Sequence, residues 1–193
     1  MRKCTDAVAE WLVRCNAIEK EDKELYSYAV YVFLLFWFPV FLAFLMGGMM
    51  NAVKQGILII LPFMAIRKFS GGYHTNHLLT CLICSSLLLF LCIALSIRTK
   101  WNLKLFVITI VACASLVFFS PIEHKNRSIS EKEKKVYKKV TTVLAVIFLM
   151  LVVSLKIIGL RDEAVSIEFG IILTAGLQGP CIANMVIKKT KQV

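Results

Sequence analysis

The sequence predicts an all-α, polytopic membrane protein, with six transmembrane helices after an amphipathic N-terminal helix and both termini cytoplasmic. Three observations carry that expectation. The first is composition: 59% of the 193 residues are hydrophobic and mean hydropathy is +0.76, too apolar for an ordinary soluble domain. The second is arrangement. The apolar residues gather into runs parted by short polar stretches, and about 20 such residues cross a hydrocarbon core. The third is charge. With the N-terminus inside, only Lys54, Arg98, Lys100, Lys104, Lys156 and Arg161 of the 23 Lys and Arg fall outside. Basic residues concentrate on the cytoplasmic side of membrane proteins, so topology explains the net charge of +11 and no nucleic-acid partner is expected.

The elements follow in order. Residues 1–24 form the amphipathic N-terminal segment, helical over 3–18. Ala7, Trp11, Leu12 and Cys15 share one face, with Glu10 and Arg14 towards the other. Such a helix is either solvated or lies on the bilayer surface. No cleavable signal peptide is expected, because these residues are polar and charged with no leading apolar run. The first span is 26–46, ended by Gly47-Gly48, with Pro39 as a site for a kink. The second, 49–66, is weaker and needs Lys54 to snorkel and Pro62 to be tolerated. The third is 78–97 and the fourth 105–120, ended by Pro121. A basic cytoplasmic loop, 121–139, precedes the fifth span at 140–155. The sixth, 164–187, is interrupted by Gly170, Gly176, Gly179 and Pro180. The whole chain, 1–193, reads as one membrane-embedded domain.

Chemistry concentrates in residues 67–84, which begin Arg67-Lys68-Phe69-Ser70-Gly71-Gly72-Tyr73-His74. His74 and Cys81 are seven residues apart, as are His77 and Cys84. On an unbroken helix each pair shares a face but is separated by a rise of about 10 Å, too far for a hydrogen bond. The pair meets only if the helix starts late, bends or unwinds, and Gly71-Gly72 supply such a break. The seven cysteines are odd in number and mostly lie in or beside apolar runs, so reduced thiols are expected rather than disulfides.

Three readings of this segment compete. In the plainest, these residues merely begin a membrane helix, although the apolar spans elsewhere carry no histidine. A zinc site has the right ligand atoms, but His74, His77, Cys81 and Cys84 spread over about 15 Å of helix while zinc bonds are near 2 Å. One helix cannot wrap all four around one ion, and no metal or cofactor is expected. The third is a Cys/His nucleophilic pair, in which imidazole takes or shares the thiol proton and helix-start N–H groups bind a developing oxyanion. Gly71 and Gly72 let a substrate backbone come close, which suits acyl transfer. Ser70, Asn76 and Gln178 are candidate orienting groups.

The block Arg67-Lys68-x-Ser70-Gly71-Gly72-Tyr73-His74-x6-Cys81 resembles the accessory gene regulator B (AgrB) family of quorum-sensing membrane endopeptidases. Ser120-Pro121-Ile122-Glu123-His124-Lys125-Asn126, then Gly170 and Pro180, extend the resemblance along the chain. It implies a multi-pass protein of a Gram-positive cell membrane, working at the cytoplasmic side and homodimeric. It implies His74 as general base and Cys81 as nucleophile, with the His77/Cys84 pair a decoy. The implied substrate is an AgrD-type propeptide, cut through a thioester acyl-enzyme and cyclised to a thiolactone or lactone. Candidate substrate contacts are Arg67, Gly71, Gly72, Lys132, Lys134 and Lys135. The lysines have two readings: they fix topology and touch membrane lipid, or they capture the acidic propeptide tail.

Overall fold

A computed structural model describes residues 2–70, 78–122 and 130–179, the side chains of residues 2, 3 and 78–82 excepted. Among the described residues every regular element is helical. They are α1 (Arg2–Arg14), α2 (Lys23–Met49), α3 (Val53–Ser70), α4 (Leu78–Arg98), α5 (Leu103–Phe119), α6 (Glu131–Ile158) and α7 (Arg161–Gly176), with one 3-10 turn at Lys20–Asp22. The chain packs as two units, Met1–Leu42 and Ala43–Val193.

In the first unit α1 buries Thr5 and Ala9, four residues apart on one face. Ser27 Oγ donates to Asp6 Oδ1 at 2.6 Å, and Lys23 lies 3.6 Å from Glu10. The helix stops at Arg14, short of the 18 expected, because Asn16 turns left-handed at φ 54°. The N–H groups of Asn16 and Ala17 then donate back to Val13 and Leu12, satisfying carbonyls at the helix end.

In the second unit α7 is the axis. Although it opens with Arg161, Asp162 and Glu163, it is buried along most of its length by α3, α4, α5 and α6. Ile167 and Ile171 join one buried cluster with Ile66, Leu116, Phe148 and Val152. Leu173 joins a second with Ile59, Ile60, Phe63, Leu89 and Ile93. The sequence permits this because small residues let backbones close up. A Cβ on Gly170 would fall on the Ile59 carbonyl oxygen, and one on Gly56 would sit 2.7 Å from that of Ala43.

By length and composition, α2 and α6 suffice to cross a membrane; Ile83–Arg98 of α4 and Leu103–Phe119 are shorter apolar helices. Their outward side chains are bulky and apolar, including Phe33, Phe41, Val111, Phe118, Ile147 and Met150. An apolar surface of this extent suits lipid rather than water.

Three boundaries differ from expectation. The helix that includes the first span runs through Gly47 and Gly48, and the chain turns at Asn51 with φ 53°. The second helix carries on through Arg67 and Lys68 to Ser70, so the basic pair is helical. The basic loop is helix from Glu131 onward, because Ser130 and Glu133 form a capping box in which the Ser130 N–H donates to Glu133 Oε2 at 3.0 Å. The last part of the sixth span, with Pro180, lies outside the described residues.

Candidate functional site

The last described turns of α3 and α5 and the turn after α7 come together, with Tyr137 of α6 beside them. Each arriving helix leaves carbonyls without intrahelical donors. A buried polar knot answers part of that need. The amide nitrogen of Gln178, just past α7, donates to the Ser70 carbonyl at 3.2 Å and to Ser120 Oγ at 3.1 Å. The Ile122 N–H donates to the same Ser70 carbonyl at 3.1 Å. Ser70, Ser120 and Gln178 are all buried, Gln178 completely. Ser120 caps α5 by donating its N–H to Leu116, and its bond to Pro121 is cis. Nearby, Phe69 meets Tyr137 edge-on at 6.0 Å, fastening the end of α3 to the basic half of α6.

The expected residues are placed as follows. Arg67 sits in the last turn of α3, its guanidinium 5.6 Å from the Phe63 ring centroid. Cys81 is the fourth residue of α4, and its side chain lies outside the described residues. Gly71, Gly72, His74, Asn76 and His77 also lie outside them. Cys84 is an exposed free thiol on α4. Lys132 and Lys135 are exposed in the first turns of α6, whereas Lys134 is half-buried and bonds Glu131 at 2.7 Å. Lys134 is therefore partly neutralised, and Lys132 and Lys135 are the more available cations. No group of three or more His, Cys, Asp or Glu able to hold a metal occurs among the described residues.

Sequence reasoning named Ser70 and Gln178 separately but did not join them through Ser120. The available signal was positional: each is a polar residue at an apolar helix end, beside a Gly or Pro break. Glu168, buried on α7, went unremarked because one carboxylate in an apolar run gives no partner to look for.

The class defined here is, among the described residues, an all-helical bundle of membrane composition with a buried polar knot at Ser70, Ser120 and Gln178. The accessory gene regulator B family matches residues 5–180, and the chain belongs to that family. With the apolar helices, this membership makes it a membrane protein. Similar proteins include "Putative AgrB-like protein" of Clostridium perfringens (strain SM101 / Type A), 24% identical over 143 residues, 69% of this chain and 66% of the relative. "Putative AgrB-like protein 1" of Clostridium perfringens (strain 13 / Type A) is 29% identical over 103 residues, 53% of this chain and 55% of the relative. The chain thus spans about two-thirds or less of the length of these curated relatives. No solved structure matches it.

Proposed function

We propose that this chain is a membrane cysteine endopeptidase that removes the C-terminal tail of an AgrD-type propeptide and closes the remainder into a thiolactone or lactone signal. The observation that carries the reading is the family match over residues 5–180, which contains the whole Arg67-x3-Gly71-Gly72-x-His74-x6-Cys81 block.

His74 takes the Cys81 thiol proton, and Sγ attacks the carbonyl carbon of the scissile bond. The C–N bond breaks, the tail amine leaves with the proton from His74, and the peptide stays as a thioester on Cys81. A thiol or hydroxyl within that peptide attacks the thioester carbonyl, closes the ring and returns the Cys81 thiol. With a thiol the exchange is nearly balanced, since the bond types match. Cleavage is uphill, because a peptide bond is more stable than a thioester, so tail removal draws the reaction forward. An apolar bundle end keeps out the water that would hydrolyse the acyl-enzyme.

Six spans, cytoplasmic termini, a site on the cytoplasmic side of a Gram-positive cell membrane, and a homodimer complete the proposal. The propeptide and membrane lipid are its partners, and Arg67, Gly71, Gly72, Lys132, Lys134 and Lys135 contact substrate. Co-expression with a propeptide, followed by mass measurement of the products, tests it. Cys81→Ser abolishes cleavage and Cys84→Ser retains it. Loss with Cys84→Ser alone reassigns the nucleophile; retention in both points instead to a non-enzymatic exporter or scaffold.

A further inference from the structure

We propose that the connection between α4 and α5 is a docking surface for anionic phospholipid, whose headgroup is met by Arg98, Lys100 and Lys104. The inference does not depend on the catalytic pair. The three cations fall within seven residues and are all exposed. No Asp or Glu stands between Glu24 and Glu123, so nothing nearby in the sequence offsets them. None of the three forms an ion pair among the described residues. The acids of α7 are accounted for otherwise. Glu163 pairs with Lys54, Glu168 is buried inside the bundle, and Asp162 directly follows Arg161. In the proposed orientation this connection faces outward, where the topology rule does not call for cations.

The connection also has a fixed shape. Asn102 Oδ1 accepts from the Leu105 N–H at 2.8 Å, and Asn102 Nδ2 donates to the Lys100 carbonyl at 3.2 Å. From α6, Lys156 Nζ rests 3.7 Å from the Trp101 ring centroid and ties the connection to another helix. Backbone held in this way needs less ordering when a ligand arrives. The opening N–H groups of α5 add a field of the same positive sign. Beside the cations, Leu95 and Ile97 of α4 and Leu103 and Val107 of α5 are exposed and apolar. Cations bordering apolar side chains match the two halves of an anionic phospholipid, an acidic headgroup joined to acyl chains. An acidic peptide or a nucleic acid would make no use of the apolar flank. A zwitterionic headgroup would bring its own ammonium against the cations.

The test reads lipid contact at Trp101, which directly follows Lys100. Full-length protein carrying Trp11→Phe and Trp37→Phe keeps Trp101 as its one tryptophan. It is reconstituted in phosphatidylcholine bilayers with rising fractions of brominated phosphatidylglycerol or brominated phosphatidylcholine. Bromine quenches the fluorescence on contact, so the two curves give relative association. A cation near an anionic lipid surface is worth roughly fivefold, which for three sets an upper bound of roughly a hundredfold. The expected preference for phosphatidylglycerol is about tenfold or more at low salt, shrinking as salt screens exposed charge. Arg98→Gln, Lys100→Gln and Lys104→Gln together bring the two lipids to parity, whereas Lys132→Gln with Lys135→Gln on α6 leaves the preference unchanged. Equal quenching by the two lipids in the parent protein overturns the proposal, as does a preference that survives the triple change. Loss of the preference to inorganic phosphate, but not to chloride at equal ionic strength, would make this an anion site and overturn its assignment to lipid. Should the triple variant fail to insert, Lys100→Gln alone lowers the preference by roughly fivefold, and an unchanged preference there refutes the proposal equally.

Discussion

Replacing Gly170 with alanine tests the packing that makes α7 the axis of the bundle. The added methyl would fall on the Ile59 carbonyl oxygen and lie 2.5 Å from Pro62 Cγ. One obstacle is backbone and the other a ring on a helix, so neither can swing aside and α3 must move away from α7. Overpacking of this kind costs about 1–3 kcal/mol, and rigid obstacles place this case at the top of that range. Alanine returns about 1 kcal/mol through its better helix propensity. The net loss is then near 2 kcal/mol, roughly a 30-fold fall in the folded-to-unfolded ratio. Reversible unfolding in mixed detergent–SDS micelles measures it. Gly176 lies on the same helix, and a Cβ there meets nothing within 4 Å, so Gly176→Ala is the control. It is expected to be neutral or stabilising by up to about 1 kcal/mol. Equal losses in the two variants would refute the close approach of α3 and α7.

Further expectations concern charge and capping. Glu163 is held below the usual carboxylate range, chiefly by the hydrogen bond from Lys54. Its depressed folded pKa contributes stability that is present above the unfolded value and lost as pH falls through the folded one. Melting temperature should therefore drop on acidification, and Glu163→Gln should flatten that limb; an unchanged slope contradicts the pairing. Glu133→Ala removes the side-chain half of the capping box and should cost about 1 kcal/mol locally, read as faster amide exchange over residues 131–134. Reversal of Lys132, Lys134 and Lys135 to Glu should slow propeptide processing, and the wild-type advantage should shrink with added salt. Unchanged processing with correct insertion would assign those lysines to topology and lipid alone.

How much was legible in the sequence follows from what each feature depends on. Helix existence depends on long apolar runs, and each of the six expected runs overlaps a helix among the described residues, of which α2 and α6 suffice by length and composition to cross a membrane. Where boundaries slipped, a local motif outweighed the composition rule. Hydropathy ended the second span before Arg67, but a helix surrounded by others does not need every turn to be apolar, and α3 runs on to Ser70. The fifth helix was placed too late because its first turns are basic, although Ser130-x-x-Glu133 was there to be read as a start signal. The central position of α7 was not legible, since its Asp162, Glu163 and Glu168 suggest an outer helix. Only its glycines hinted at close packing. For the site, the His/Cys motif stands out by residue type, whereas the knot at Gln178 depends on long-range folding. Ser70 and Gln178 are 108 positions apart, and no periodicity reports such a contact.

The most direct test of the central claim is the covalent intermediate. Purified protein, mixed with its propeptide and quenched early, is digested and measured by mass. The account predicts the propeptide without its C-terminal tail attached to Cys81, released by hydroxylamine, and absent from His74→Ala and Cys81→Ser. An adduct on Cys84, or cleaved propeptide formed with no adduct on any cysteine, would contradict it.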